Sequence, residues 1–296
     1  MLIDRFADDV VVWAPAKANL YLEIHGKRAD GYHELTTLMV AVRLYDTLVL
    51  KQADELRLRC SDPGLSSGPD NLVLRAAELL RAQIGCNRGA AIRLIKRIPQ
   101  AAGLAGGSSD AAATLAGLNR LWRLGLDRSR LAGLGAHLGS DVPFFFYPPA
   151  AWCTGRGEIV EPLPLGRTLH FVLACPKTGL STAEVYANVG TSFQLVQDRP
   201  PREAALRDAV AVGRIDEIGR LLHNRLQPAA EKLCPAIARI HARLAQLKPA
   251  GVLMSGSGST VFALCHSRGQ AVSIARELRL GKDEEEFRVY RVRSCS

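Results

Sequence analysis

No two cysteines in this sequence are spaced C-x-x-C, and no uncharged apolar run approaches the ~18 residues that a membrane helix needs. Aromatic side chains make up only 6% of the chain, and no arginine-rich run has aromatics interleaved with it. Each lack excludes something. The seven cysteines (60, 86, 153, 175, 234, 265 and 295) are scattered and odd in number, so reduced core or surface thiols are expected rather than a disulfide frame or a zinc site. "MLIDRFADDVV" lacks the basic-then-apolar layout of a secretory signal, which predicts a cytoplasmic protein with no membrane association. The net charge of +9 attracts polyanions generally. Without a basic–aromatic run it is read as drawing small polyphosphates, and no nucleic-acid partner is expected.

What is present is an ordinary globular balance, 48% apolar and 23% charged, long enough for one large domain or two modest ones. Val10–Ile24 reads as a strand, a break at Pro15, and renewed alternation at Leu20, Leu22 and Ile24. Strands are predicted over Leu38–Leu44 and Thr47–Lys51, with a Ser/Gly/Pro loop over Ser61–Asn71. Leu72–Ile84 has helical spacing and stops at Gly85. "AAIRLIKRI" alternates like a strand; after Leu115 a helix continues through "AGLNRLWRLG", and a second short one follows over "RSRLAGLGAHLG". After a loop-like Pro162–Gly166, "TLHFVLACP" opens a new run. Helical patterns follow at Glu203–Val212, Arg214–His223, Ala229–Leu247 (broken at Pro235) and Gln270–Arg279. Short strands lie at "GVLMSG", "TVFALC" and "VYRVR". The chain is expected to divide near residue 165, into 1–165 and 166–296.

The stretch "IPQAAGLAGGSSDAAATL" places glycines between a strand and a helix. Glycines let the backbone approach an anion, and a helix start offers unpaired N–H groups and a positive dipole end. Ser108 or Ser109 is expected to cap that helix. The register is neither Walker A, since no Gly-Lys-Ser/Thr follows, nor the dinucleotide fingerprint. Spacing alone leaves phosphate cradle and plain structural turn equally open.

Three other islands matter: "PAKANLYL" with Lys17 and Asn19, "LGSDVPFF" with Asp141 before an aromatic run, and "MSGSGSTVFAL". With the glycine stretch these resemble the signature regions of the GHMP small-molecule kinases. "DNLVLRAA" is a further hallmark, and "KRADGYHEL" narrows the likeness to the branch that phosphorylates the 2-hydroxyl of 4-diphosphocytidyl-2-C-methyl-D-erythritol, in the non-mevalonate isoprenoid pathway. The motifs run in family order over about residues 13–264, while Gln194–Lys248 matches only loosely. The family often has glycine where Ala105 stands. Here alanine is expected at negative φ, with its N–H still available.

The resemblance implies an α+β, two-domain fold: an N-terminal nucleotide-binding domain, a C-terminal α/β sandwich domain, and the active site in the cleft between. It implies ATP as donor, Mg²⁺ held mainly through the nucleotide, a small-molecule substrate with a diphosphocytidyl group, and a monomer or weak homodimer. Asp141 matches the catalytic base and Lys17 its basic partner. The bland alternative is an ordinary ion pair. Asn19 matches a substrate-orienting position, or else bonds its own loop. Tyr32 and His33 match the cytidine site, with Tyr186 supplying the opposite stacking face. Asn71 and Lys96 sit where the family approaches adenine, although Lys96 also reads as a strand-edge charge facing water. Pro99, Gly103, Leu104, Ala105, Gly106, Gly107, Ser108 and Ser109 would wrap the phosphates. Ser255, Gly256, Ser257, Gly258, Ser259 and Thr260 would close over the substrate, or else simply connect two strands. Kinases of homoserine, a mevalonate derivative or a sugar lack "RADGYHEL" as a rule. A non-catalytic nucleotide sensor would not need both Lys17 and Asp141.

Overall fold

The computed structural model describes residues 1–6, 9–189, 199–280 and 287–296. The chain opens with β1 (Leu2–Phe6), β2 (Asp9–Lys27), β3 (His33–Ala53) and β4 (Leu56–Cys60). Next come α1 (Leu72–Ile84), β5 (Gly89–Ile95), α2 (Gly106–Leu121), α3 (Arg128–Ala136) and a 3-10 turn at Pro143–Phe146. β6 (Ala150–Thr154), β7 (Ile159–Leu163) and β8 (His170–Pro176) follow, then α4 (Thr182–Ala187), α5 (Arg199–Val212) and α6 (Ile215–Leu221). The remainder is β9 (His223–Asn224), α7 (Gln227–Leu233), α8 (Ala236–Gln246), β10 (Gly251–Met254), β11 (Val261–Cys265), α9 (Arg268–Leu280) and β12 (Phe287–Arg293). Part of the loosely matching stretch, 194–198, lies outside the described residues.

Two compact units draw on interleaved segments. The first holds Met1–Ala16, Leu44–Pro99 and Ala105–Pro148, and the second Lys17–Arg43, Gln100–Leu104 and Pro149–Ser296. These units are interleaved rather than separated by one cut. β2 and β3 are the reason: each is one long strand whose two ends belong to different units. The expected break at Pro15 is absent, as is the gap between Leu44 and Thr47: β2 and β3 each run through them as one strand, side by side in the same sheet. β7 occupies part of the stretch read as loop, since Ile159–Leu163 pair with Ala150–Thr154 despite Pro162.

In the first unit β1 pairs with the start of β2, and β5 lies between β3 and β4. α1 turns Val73, Ala76, Ala77 and Leu80 inward, and α2 contributes the buried Ala111, Ala112, Ala113 and Leu115. In the second unit β10, β11, β8 and β12 form an antiparallel sheet in that order. Val172, Ala174, Val261 and Ala263 of this sheet meet Ile237, Ile240 and Leu244 of α8 and Ile274 and Leu278 of α9. Among the described residues no cysteine forms a disulfide. Burial pushes the Cys175 and Cys265 thiols up to about 12, so neither is a thiolate at neutral pH.

Candidate active site

Lys17 is 3% exposed, a setting in which an ammonium needs partners. Its Nζ donates to Asn19 Oδ1 at 2.5 Å and to the Gly103 carbonyl at 2.8 Å. Asn19 Nδ2 donates to Thr37 Oγ1 (2.8 Å), and Thr37 Oγ1 donates to the Tyr21 carbonyl (2.6 Å). Ser255 Oγ also donates to the Gly103 carbonyl, at 3.0 Å, and accepts from the Asn19 N–H at 3.3 Å. Three distant segments thus meet at one carbonyl. Gly103 has φ +72°, and a Cβ there would stand 2.0 Å from the Ser255 carbonyl oxygen. Gly256, at φ +55°, allows no Cβ either, because Lys17 Nζ would be 2.8 Å from it. Glycine is needed at both places for close approach as well as for positive φ.

The rest of the Ser255–Thr260 loop is tied down by its neighbours. Ser257 Oγ shares a hydrogen bond with Thr182 Oγ1 (2.9 Å), and the Thr260 N–H donates to the Ala102 carbonyl (3.2 Å). Gly258 leaves room for Met254 and Leu180, and Ser259 Oγ is buried without a hydrogen-bond partner. Asn224, which the sequence reading missed, donates from Nδ2 to the Met254 and Gly256 carbonyls, both at 2.8 Å. A single asparagine in "LLHNRLQP" carries no sequence signal for this role.

Tyr186 lies against His33, ring centroids 5.1 Å apart. Tyr32 is 53% exposed, and the guanidinium of Arg156 stands over its ring at 4.7 Å. Arg156, in the Gly155–Gly157 turn, was not singled out from sequence. Burial lowers the pKa of His33 from its ordinary value, helped by the charge of Lys27, which favours the neutral ring.

Residues 105–109 and Asp141 belong to the first unit, whereas Lys17, Gly103 and Leu104 belong to the second. Two expectations about the glycine stretch are corrected. Ala105 lies in the left-handed region, φ +55° and ψ +36°, because the chain must reverse there to enter α2. It is also the N-cap residue, and no side chain caps this helix. Ser108 and Ser109 fall inside the first turn instead, and Ser109 Oγ is buried without a hydrogen-bond partner. The first turn of this sixteen-residue helix therefore has no side-chain cap among the described residues. Asp141 sits half-buried in the turn between α3 and the buried Phe144–Phe146 run. Gly139, in the same turn, would place a Cβ 4.0 Å from Ser108 Oγ.

Asn71 caps α1, accepting from the Val73 N–H at 2.9 Å and donating to the Ser66 carbonyl at 2.6 Å. Lys96 does not face water. Its side chain is 6% exposed, and Nζ donates to Asp46 Oδ2 and, at 2.7 Å, to Asp110 Oδ2. Pro99, half-buried, ends the first-unit segment that begins at Leu44.

Residues 71–148 match the family model of the GHMP kinases N terminal domain, and residues 204–282 that of the GHMP kinases C terminal domain. The chain belongs to the GHMP kinases, and is a small-molecule kinase with ATP as the family's phosphoryl donor. It is 42% identical over 267 residues to the 4-diphosphocytidyl-2-C-methyl-D-erythritol kinase of Gloeobacter violaceus, covering 90% of this chain and 88% of that one. It is 45% identical over 279 residues to the kinase of the same name from Mycolicibacterium gilvum, covering 91% and 86%. Within the GHMP kinases its place is with the 4-diphosphocytidyl-2-C-methyl-D-erythritol kinases. A crystal structure of a 4-(cytidine 5'-diphospho)-2C-methyl-D-erythritol kinase superposes with a TM-score of 0.78 at 34% identity, over 97% of this chain and 99% of that one. A homoserine kinase from Cytophaga hutchinsonii superposes with 0.80 at 20% identity, over 100% and 97%. The two superpose to a similar extent, so backbone shape alone does not separate them.

Proposed function

We propose that the chain transfers the γ-phosphoryl group of ATP to the 2-hydroxyl of 4-diphosphocytidyl-2-C-methyl-D-erythritol, in the cytoplasm, as a step of isoprenoid precursor synthesis. The relatives' shared name supports the acceptor, and Tyr32, His33 and Tyr186 suit its base. The observation that carries the reading is the junction at Gly103. Lys17 and Ser255, far apart in sequence, both donate to the Gly103 carbonyl, and Asn19 is hydrogen-bonded to each of them. A structural turn alone would not need a buried ammonium.

In this reading Asp141 accepts the proton as the hydroxyl oxygen attacks the γ-phosphorus, a P–O bond forms, and the β–γ bridging bond breaks to release ADP. Lys17 lowers the hydroxyl's pKa and offsets charge on the transferring group. Asn19, fixed by Lys17 and Thr37, orients the acceptor. The uncapped amides of Gly106, Gly107 and Ser108 receive the phosphates. Mg²⁺, bound to the triphosphate, would neutralise β and γ oxygens there. The hydroxyls and amides at the start of α2 suit an ion carried in by the nucleotide rather than a protein-built cage. Residues 1–165 supply the nucleotide-binding domain and 166–296 the C-terminal one in family terms. Incubation with ATP, Mg²⁺ and the diphosphocytidyl alcohol, followed by phosphorus NMR, tests the reading. A new phosphomonoester on the tertiary carbon is expected. A product only with homoserine or mevalonate would reject the acceptor.

A further inference from the structure

Asp46, Lys96 and Asp110 form a row inside the first unit, each side chain at most 6% exposed. Both oxygens of Asp46 are fully used: Oδ2 receives Lys96 Nζ, and Oδ1 receives the N–H groups of Arg97 (2.5 Å) and Ile98 (2.9 Å). Asp110 differs. Its Oδ2 accepts from Lys96 at 2.7 Å, but its Oδ1 is buried with no hydrogen-bond partner. Two carboxylates around one ammonium carry an uncompensated negative charge out of water, and one added proton removes that penalty. The proton goes to Asp110, where an oxygen is free to take it without losing a donor. Burial pushes the Asp110 carboxyl up to about 8, and the charge of Asp46 adds to this against the opposing pull of Lys96. Among the described residues, the charged groups acting on Asp110 are Lys96, just past β5, and Asp46, in β3. Of the other elements that pack on α2, α1 carries Arg75, Glu78 and Arg81, α3 carries Arg128 and Arg130, and the Pro143–Phe146 turn has no charged side chain.

The row lies beneath the first turn of α2. Asp110 is the fifth residue of that helix, and Lys96 Nζ would be 3.2 Å from a Cβ on Gly106. We propose that Asp110 is a positioning residue of the phosphate cradle that makes nucleotide binding proton-linked. With a proton on Asp110 the row is neutral and the turn accepts a polyphosphate; without it, a buried negative charge under the same turn opposes one. Lys96 then serves the nucleotide by holding this charge balance below the cradle. The inference rests on the kinase reading of the cradle and adds a dependence which that reading does not contain.

The test is the dissociation constant of Mg²⁺-ADP between about pH 7.5 and 9.5, where the nucleotide's own phosphates stay ionised. Wild type is expected to weaken about tenfold across that range. Asp110→Asn, which fixes the neutral state, is expected to vary less than about twofold. If that variant does not fold, proton uptake by wild type on binding ADP near pH 8.5 replaces it, measured from binding heats in buffers of different ionisation enthalpy. Net uptake supports the proposal and zero uptake overturns it. A purely structural Asp110 would leave the wild-type profile flat. A flat profile in an enzyme that still turns over overturns the inference alone, whereas no ADP binding at any pH overturns the cradle and the inference together.

Discussion

Asn224 holds the Gly256 carbonyl at 2.8 Å, and the same Nδ2 holds that of Met254 at 2.8 Å, while Oδ1 accepts from the Leu226 N–H at 2.9 Å. One buried side chain thus fixes the entrance of the glycine–serine loop that packs against Lys17. Asn224→Ala leaves two carbonyls and an amide unsatisfied, at a cost of about 2–3 kcal/mol. Urea unfolding is expected to show that loss. Steady-state kinetics are expected to show kcat/KM down about tenfold or more, with the nucleotide's KM little changed. An unaltered denaturation midpoint would mean that the loop does not depend on Asn224.

Ala105 adopts the left-handed conformation that costs a non-glycine residue about 1 kcal/mol. Ala105→Gly relieves the strain but gives the unfolded chain more freedom, so the net gain is smaller, roughly 0.5 kcal/mol. Thermal denaturation is expected to move up by about 1–2 °C. A clear drop would show that Ala105 is not held at positive φ.

Much of this could be read from the residues. The strand–glycine–helix layout, the stop of α1 at Gly85 and the helix break at Pro235 follow from local chemistry that tertiary packing does not override. The burial of Lys96 does not follow from sequence. It depends on Asp46, fifty positions away, and on Asp110 on the opposite side of the glycine stretch. Arg156 over Tyr32 and Asn224 under Gly256 are likewise long-range pairings of common residue types with no periodic pattern. Ala105 was legible as a departure from the family, but its φ was not, because alanine usually avoids that region. The division into units was hidden for a different reason: a strand shared by two units reads simply as a strand.

Asp110 also has a consequence for stability. Its carboxyl, about 8 in the folded chain, lies far above the value of 3.8 of an unperturbed aspartate, so between these the folded chain binds a proton that the unfolded chain lacks. Its stabilising contribution is complete below about pH 4 and is lost as pH rises to about 8. Lys96 is also raised, its two carboxylates outweighing its burial, and it keeps its contribution throughout that window. The melting temperature of wild type, relative to Asp110→Asn, is therefore expected to fall between about pH 5 and pH 9. A difference that stays level with pH would contradict the shift.

Tyr32 presents an exposed ring, and base–aromatic stacking contributes about 1–3 kcal/mol. Tyr32→Ala is expected to raise the KM for the diphosphocytidyl alcohol roughly tenfold to a hundredfold while changing that for ATP less than about twofold. Tyr32→Phe keeps the ring and is expected to behave nearly as wild type. Equal effects on both substrates would remove Tyr32 from the cytidine site.

The most direct test of the central claim is ADP release with the diphosphocytidyl alcohol as acceptor, measured for wild type and for Asp141→Asn. Turnover is expected in wild type. A fall in kcat of at least about a thousandfold is expected in the variant, with its melting temperature and ATP affinity retained, because the amide cannot take the hydroxyl's proton. Equal rates would contradict the role of Asp141, and no ADP release by wild type would contradict the proposed reaction.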